Sequence, residues 1–211
     1  MARQFTLSLT ENSEKEEDTF KLTVLGHKGV GKSTFNCRLM KHWIELSRQE
    51  KKKWKRSKGC GDLGIKGRSL TVDTVDITVK ARFPFMQKLP SCDVYVLVYS
   101  LVCDGSFEAV VAARDQIIQQ EGPLVPIVFV ANKTDIADSV DKTERVYRDL
   151  NISCEWENGH VEISAERDTS VLPVLEQIMK RHQKYVSPGE KKRRSKFSKA
   201  LRSIRNRFST H

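Results

Sequence analysis

Continuous apolar runs alternate with segments of helical periodicity along most of the chain. The apolar runs predict strands at 20–26, 93–101, 126–135 and 160–165. Apolar residues three and four positions apart predict helices at 32–46, 106–120, 141–150 and 170–186. Apolar strands separated by helices are typical of a parallel sheet that is covered on both faces. We therefore expect a doubly wound α/β domain.

The two ends of the chain fall outside this alternation. Residues 1–19 are acidic and polar, and we expect them to form a flexible segment before a domain at 20–186. Ser187, Pro188 and Gly189 then introduce a basic tail at 187–211. The five cysteines have no disulfide or zinc spacing, and the longest apolar run is too short to span a membrane. These features predict a soluble cytoplasmic protein with reduced thiols.

The net charge of +10 is concentrated in two short segments. Residues 190–211 contain nine Lys/Arg and one Glu, and residues 48–58 contain seven Lys/Arg and one Glu. The remainder of the chain is mildly acidic. Charge localised in this way favours contact with an anionic surface over a nucleic-acid-binding core, and the aromatic residues fall mostly in predicted core elements. Nucleic acid is therefore a disfavoured partner.

A glycine-spaced phosphate-binding motif separates the first long strand from the first long helix. It reads Gly26-His27-Lys28-Gly29-Val30-Gly31-Lys32-Ser33, followed by Thr34. This G-x-x-x-x-G-K-S spacing is that of the P-loop, in which backbone N–H groups and a helix N-terminus surround phosphate oxygens. Lys32 is expected to reach the β- and γ-phosphates, and Ser33 to bind Mg²⁺. The motif indicates a nucleotide but does not specify the base.

Two further motifs follow the strands at 126–135 and 160–165. They are Asn132-Lys133-Thr134-Asp135 and Ser164-Ala165-Glu166. With the P-loop before them, they make residues 20–186 resemble the Ras superfamily of small GTPases. The resemblance implies a mostly parallel six-stranded sheet, GTP or GDP as ligand, and Mg²⁺ as cofactor.

The resemblance also implies a role for each matching residue in the two motifs. Asp135 would accept two hydrogen bonds from guanine, Asn132 would join this loop to the P-loop, and Lys133 would lie along the base. Ser164 and Ala165 match the family's Ser-Ala-Lys, where the alanine N–H bonds the guanine carbonyl. Glu166 replaces the family's lysine at the third position.

The residues that sense the γ-phosphate in that family are degenerate in this chain. Asp73 is the best match to the metal-binding Asp of D-x-x-G. In that alignment, Asp76 occupies the position of the glycine, and Ile77 occupies the position of the Gln that orients the attacking water. A second interpretation makes residues 75–83 an alternating edge strand without the motif. Both interpretations stay open, and both leave the catalytic residue unknown. Impaired hydrolysis is the expectation.

The region expected to hold the first switch is the basic loop predicted at 47–60. It contains no Thr to complete a magnesium shell. Two interpretations of its charge stay open. The loop is either a solvated surface or a patch that faces phosphate or lipid head groups, with Trp54 as an apolar anchor.

The basic tail lacks a C-a-a-X box, which excludes prenylation as its anchor. Phe197, Leu201, Ile204 and Phe208 nevertheless recur at helical spacing among Lys and Arg. Residues 191–208 are therefore expected to bind an anionic membrane surface or calmodulin, with nuclear import or simple disorder as open alternatives. The absent prenylation site, the basic extension and the altered D-x-x-G are similar in kind to the Rad/Gem/Rem group.

Two functional hypotheses follow from these features. The first is a monomeric Ras-like protein that binds guanine nucleotide and signals from the inner face of a membrane, with slow or negligible GTP hydrolysis. The second is a pseudo-GTPase scaffold that recruits an effector protein, its nucleotide being structural. Measurable Mg²⁺-dependent turnover would favour the first hypothesis.

Overall fold

The computed structural model of the chain describes residues 3–7, 19–56, 70–77, 89–167 and 171–185. The strands are β1 (Arg3–Leu7), β2 (Phe20–His27), β3 (Leu70–Ile77), β4 (Val94–Ser100), β5 (Ile127–Asn132) and β6 (Gly159–Glu162). The helices are α1 (Lys32–Arg56), α2 (Asp104–Glu121), α3 (Lys142–Leu150) and α4 (Leu172–Tyr185). A 3₁₀ turn lies at Thr134–Ile136 and a π-helical turn at Asn151–Glu155. Among the described residues, no helix has both the length and the apolar character to cross a membrane.

The six strands form one sheet in the order β1-β3-β2-β4-β5-β6. Strands β2 to β6 run parallel to their neighbours, and β1 pairs antiparallel with β3 at one edge. The predicted doubly wound, mostly parallel α/β fold is therefore confirmed. Because the carboxyl ends of parallel strands meet at one edge, the segments that follow β2, β5 and β6 lie close together.

The hydrophobic core has two layers, one on each face of the sheet. One layer packs α1 and α4 against alternate residues of β2, β4 and β5, such as Val24, Val96 and Val128. The other packs α2 against the intervening residues, such as Leu25 and Leu97. The central strands are apolar at successive positions because both of their faces are buried.

The N-terminal segment contains a strand that the sequence did not predict. Residues 1–19 were expected to be flexible, yet Arg3–Leu7 forms β1, in register with Leu70–Thr74 of β3. Its sequence alternates apolar Phe5 and Leu7 with polar neighbours, a weak period-2 signal that the acidic residues after it obscure. The edge position explains why so short and polar a segment is accepted into the sheet.

Helix α1 is longer than predicted. The basic segment expected to be a loop at 47–60 is helical as far as Arg56. Lys, Arg, Glu and Gln have high helix propensity, and the first glycine after Lys32 is Gly59. The charge of the segment suggested a loop, but nothing in its residues ends a helix before Arg56.

Several predictions fall on other parts of the chain. These are residues 57–60 of the predicted basic loop, residues 78–83 of the alternative edge strand, and the tail at 187–211 with its predicted membrane-binding segment. All of them lie outside the described residues. The cysteines of the described part, Cys37, Cys92, Cys103 and Cys154, are all free thiols.

Candidate functional site: a phosphate loop joined to two base-reading loops

The P-loop connects β2 to α1, and its glycines are required by close contacts and by backbone conformation. A Cβ at Gly26 would lie 2.3 Å from the carbonyl oxygen of Val98 in β4. Gly29 and Gly31 have φ angles of 85° and 96°, in the left-handed region that favours glycine. A Cβ at Gly31 would also lie 2.3 Å from the side-chain nitrogen of Asn132. The loop is therefore shaped by contacts with both β4 and β5.

Lys32, the first residue of α1, points back along this loop. Its side chain is 6% exposed, and Nζ donates hydrogen bonds to the carbonyl oxygens of Gly26 at 2.8 Å and His27 at 2.7 Å. The same nitrogen lies 2.7 Å from Oδ1 of Asp76 at the end of β3. Ser33 is exposed beside it at the helix N-terminus. A buried cation, a glycine loop and a helix N-terminus together form a site suited to phosphate.

The register of the sheet changes the assignment of the aspartate in β3. Asp76 pairs with Gly26 of the P-loop, whereas Asp73 pairs with Thr23, three residues further from the loop. Strand alternation also places Asp73 on the sheet face with Val75, which packs with the α2 layer. Asp76 shares the other face with Thr74, whose hydroxyl accepts a 2.7 Å hydrogen bond from Asn36 of α1. Asp76, not Asp73, therefore adjoins the phosphate loop, whereas the assignment of a metal ion to Asp73 stays a prediction.

The same register bears on the two interpretations of residues 73–83. Strand β3 lies between β1 and β2, so residues 75–77 of the second interpretation do not lie in an edge strand. With Asp76 as the first residue of D-x-x-G, the motif reads Asp76-Ile77-Thr78-Val79 and is followed by Lys80. Valine then replaces the glycine and lysine replaces the water-orienting Gln. The alignment on Asp76 therefore matches the aspartate of the family motif but neither its glycine nor the Gln that follows it.

Asn132, at the end of β5, joins the three loops of the site. Its Nδ2 donates to the carbonyl oxygen of Val30 at 2.7 Å, and its Oδ1 accepts from the N–H of Ala165 at 2.8 Å. The side chain is only 2% exposed, so both hydrogen bonds are shielded from water. The contact to the P-loop implied by the family resemblance is present. The Ala165 N–H, expected to face guanine, is bonded to Asn132 in this structure.

Asp135 is presented by a tight turn after β5. Lys133 adopts a left-handed conformation with φ of 70°, and the N–H of Thr134 donates to the carbonyl oxygen of Ile163 at 3.1 Å. A hydrogen bond from the side chain of Ser164 lowers the pKa of Asp135 below its ordinary value. The carboxylate is therefore ionised at neutral pH. An ionised, half-buried carboxylate is an acceptor for two adjacent N–H donors.

Arg38 is a positioning residue that the sequence did not identify. It lies on α1, and its guanidinium donates to the carbonyl oxygens of Ala165 at 3.4 Å and Glu166 at 3.1 Å. The loop at 164–166 is therefore held from two directions, by Asn132 and by α1. No local motif marks Arg38, because its partners are more than 120 residues away along the chain.

The site therefore has a cationic phosphate end at Lys32 and a carboxylate end at Asp135, joined through Asn132. This arrangement on a doubly wound sheet defines a P-loop protein of the small G-domain class. Residues 21–184 match the family model described as Ras family. The chain belongs to the Ras family and is a Ras-like GTP-binding protein.

Individual relatives show the same likeness at low identity. The chain is 27% identical over 171 residues to GTP-binding protein rhb1 of Schizosaccharomyces pombe, covering 80% of this chain and 90% of that protein. It is 27% identical over 164 residues to the GTP-binding protein Rheb homolog of Dictyostelium discoideum, covering 75% of this chain and 85% of that protein. It is 24% identical over 206 residues to Ras-like protein rasU of the same organism, covering 93% of this chain and 94% of that protein.

Proposed function

We propose that this protein binds GDP and GTP together with Mg²⁺, hydrolyses GTP slowly, and signals from an anionic membrane surface. The observation that supports guanine binding is the bridge made by Asn132 between the loop that carries Lys32 and the loops that carry Asp135 and Ala165. A purine nucleotide placed between them would have its phosphates at Lys32 and its base at Asp135. Adenine would leave the Asp135 carboxylate without donors, which disfavours ATP.

The residues beside the phosphate loop are suited to a magnesium ion. Ser33 offers a hydroxyl and Asp76 a carboxylate, and Mg²⁺ prefers oxygen ligands of this kind together with phosphate oxygens. When bound, the ion would neutralise charge on the polyphosphate. The carboxylate of Asp76 adjoins Lys32 in the structure. Metal-bound Asp76 would release the ammonium of Lys32 to contact phosphate.

Slow hydrolysis follows from the residues after Asp76. Lys80 replaces the Gln that orients the attacking water in related proteins, and Val79 replaces the glycine whose N–H contacts the γ-phosphate. A pseudo-GTPase scaffold is the second candidate function, because the same replacements would also suit a protein whose nucleotide is structural. The two candidates differ in turnover, not in binding.

Two measurements test this proposal. Titration with fluorescent GDP, GTP and ATP, with and without Mg²⁺, is expected to show guanine selectivity and Mg²⁺-enhanced affinity. Single-turnover hydrolysis is then expected to give a rate that is low but lost in Lys32→Ala. Equal affinity for ATP would overturn the assignment of the site. Tight GTP binding without turnover would favour the scaffold.

The membrane part of the proposal rests on the tail. Residues 191–208 contain nine Lys/Arg and the four regularly spaced apolar residues. Each basic residue near an anionic leaflet contributes about 1 kcal/mol, so nine would hold the protein there without lipidation. Cosedimentation of the full chain with vesicles containing phosphatidylserine, compared with phosphatidylcholine alone, tests this part separately from nucleotide binding. Equal recovery with both would contradict it.

A further inference from the structure

Helix α3 has charged residues on the side that faces the rest of the domain. These residues contact polar groups of α2 and β6: Arg145 with Glu162, Arg148 with Asp104, and Asp149 with His160. Arg148 is only 5% exposed, and its Nη2 lies 2.8 Å from Oδ1 of Asp104. The helix is therefore attached to the domain by ion pairs and hydrogen bonds at the positions where a surface helix normally has its apolar stripe.

The apolar residues of α3 lie on the opposite side and are exposed to solvent. Val146 is 58% exposed, Tyr147 is 63% exposed and Leu150 is 47% exposed. At 100° per residue, these three positions form one face of the helix. An outward-facing apolar stripe of this kind is typical of an interaction surface. We call Val146, Tyr147 and Leu150 the α3 face.

The rim of the α3 face is negatively charged. Between residues 138 and 155, the exposed charged side chains comprise five acidic residues and one basic residue. They are Asp138, Asp141, Glu144, Asp149 and Glu155 against Lys142, and of these Asp149 is exposed while it also contacts His160. Arg145 pairs with Glu162, and Arg148 pairs with Asp104 and with Glu144, so the arginines of α3 offset only part of this rim and its net charge stays negative. The surface is therefore complementary to an apolar segment surrounded by Lys and Arg.

The C-terminal tail of this chain has that chemistry. Phe197, Leu201, Ile204 and Phe208 fall on one face when the sequence is plotted at helical spacing. Half of the residues between them are Lys or Arg, and the segment 190–211 contains nine basic residues against one acidic residue. The apolar stripe and the charge of the tail thus both match the α3 face.

The tail also starts close enough to reach this surface. Near the end of α4, Lys184 Nζ lies 2.5 Å from Glu157, and Arg181 donates to the carbonyl oxygen of Asn158 at 2.8 Å. These partners directly follow the π-helical turn that continues α3. From Tyr185, the 11 residues up to the first apolar tail residue span at most about 40 Å, whereas α3 with its π-helical turn is only about 20 Å long.

We propose that residues 196–208 of the tail dock on the α3 face of the same molecule. Phe197, Leu201, Ile204 and Phe208 cover Val146, Tyr147 and Leu150, and the basic residues lie against the acidic rim. The contact does not depend on the proposed nucleotide binding. While the tail is docked, its apolar face is withheld from any other partner. This regulation of the access of the tail to a membrane rests on the proposed membrane binding.

Hydrogen exchange measured by mass spectrometry on the full chain tests the contact. The variant Leu201→Glu/Ile204→Glu removes the apolar stripe, and Ser203→Glu/Asn206→Glu makes the same charge change on the opposite side of the tail. Amide exchange in residues 142–155 is expected to rise about fivefold in the first variant and less than about twofold in the second. Equal exchange in the wild type and both variants would overturn the proposal.

A reciprocal experiment changes α3 instead of the tail. Tyr147→Ser/Leu150→Ser is expected to raise exchange in residues 196–208, whereas Leu124→Ser, an exposed apolar residue outside the α3 face, leaves it unchanged. All three positions are exposed, so the substitutions preserve the fold. The protection must also be independent of protein concentration over a tenfold dilution. Loss of protection on dilution would show that the tail binds a second copy and would overturn the intramolecular contact.

Discussion

The ammonium of Lys32 lies 2.7 Å from the carboxylate of Asp76, on the side of β3 that faces α1. This ion pair links the N-terminus of α1 to the C-terminal end of β3. Lys32 is buried and Asp76 is 61% exposed, so the carboxylate can move away while the ammonium stays in place. Under the proposed function, Asp76 would either compete with phosphate for Lys32 or bind a metal ion beside it.

Asp76→Asn should change how nucleotide affinity depends on Mg²⁺. Without Mg²⁺, the variant is expected to bind GDP more tightly than the wild type, because no carboxylate competes with the phosphates for Lys32. The increase in GDP affinity that Mg²⁺ produces in the wild type should be reduced about tenfold in the variant, which corresponds to about 1.4 kcal/mol of binding free energy. Titration with fluorescent GDP at saturating and zero Mg²⁺ measures both effects.

Asp73→Asn is the matched control for that experiment. Asp73 carries the same charge on the same strand but lies on the opposite face of the sheet. Its substitution should leave the Mg²⁺ dependence of GDP affinity unchanged. A larger effect at Asp73 than at Asp76 would restore the original sequence alignment and contradict the register of β2 and β3.

Asn132→Asp should weaken both nucleotide binding and stability. The substitution keeps the acceptor for the Ala165 N–H but replaces the donor to the Val30 carbonyl with a carboxylate oxygen. Two hydrogen-bond acceptors that face each other in a buried position should lower the free energy of unfolding by about 1–3 kcal/mol. Urea unfolding monitored by circular dichroism measures the loss of stability, and nucleotide-free protein should show it as well. Wild-type stability in that variant would mean that the bridge is unimportant for the fold.

Asp135→Asn should convert the base preference from guanine to xanthine. The carboxylate accepts from two donors, whereas an amide offers one donor and one acceptor. Xanthine has a carbonyl where guanine has its amino group, so it matches the amide. Competition of XDP and GDP against a fluorescent nucleotide measures the change, and Asp138→Asn, an exposed neighbour, should not alter the preference. Retained preference for GDP in Asp135→Asn would place the base elsewhere.

Ser164→Ala should make GDP binding more sensitive to acid. The hydrogen bond from Ser164 lowers the pKa of Asp135, and its removal lets that pKa return toward the ordinary value for an aspartate. Because base recognition requires the ionised form, affinity is present above the pKa of Asp135 and is lost as the pH falls through it. The loss should therefore occur at higher pH in Ser164→Ala than in the wild type. Titrations of GDP affinity between about pH 3 and 6, which include the ordinary pKa of an aspartate, measure the shift, and coincident profiles would contradict it.

The sequence predicted those parts of the structure whose signals are local. The P-loop spacing, the buried strands and the motifs at Asn132 and Ser164 each depend on neighbouring residues, and the three motifs follow β2, β5 and β6 in the structure. The choice between Asp73 and Asp76 depends on the register between two strands 50 residues apart, which no local pattern specifies. Arg38 and β1 were missed for the same reason, since their partners are distant in the chain.

The tail should be the main contact with anionic membranes, and the second basic segment offers a matched comparison. At about 1 kcal/mol for each basic residue, Arg202→Gln/Arg205→Gln should weaken binding to phosphatidylserine vesicles by about 30-fold. Lys51→Gln/Lys52→Gln removes the same charge from the C-terminal part of α1. Cosedimentation of the full chain with vesicles of graded phosphatidylserine content measures both variants.

The two variants separate a tail anchor from a general effect of net charge. If the tail alone contacts the bilayer, the α1 variant should bind as the wild type does, since charges beyond about 8 Å from the surface are screened at physiological salt. Equal losses in both variants would mean that the two basic segments bind together. Tyr147→Ser/Leu150→Ser should have the opposite effect on vesicle binding. It releases the tail from the α3 face without altering the charge of the tail, so vesicle binding should become tighter. Weaker binding in that variant would mean that the α3 face itself contacts the membrane.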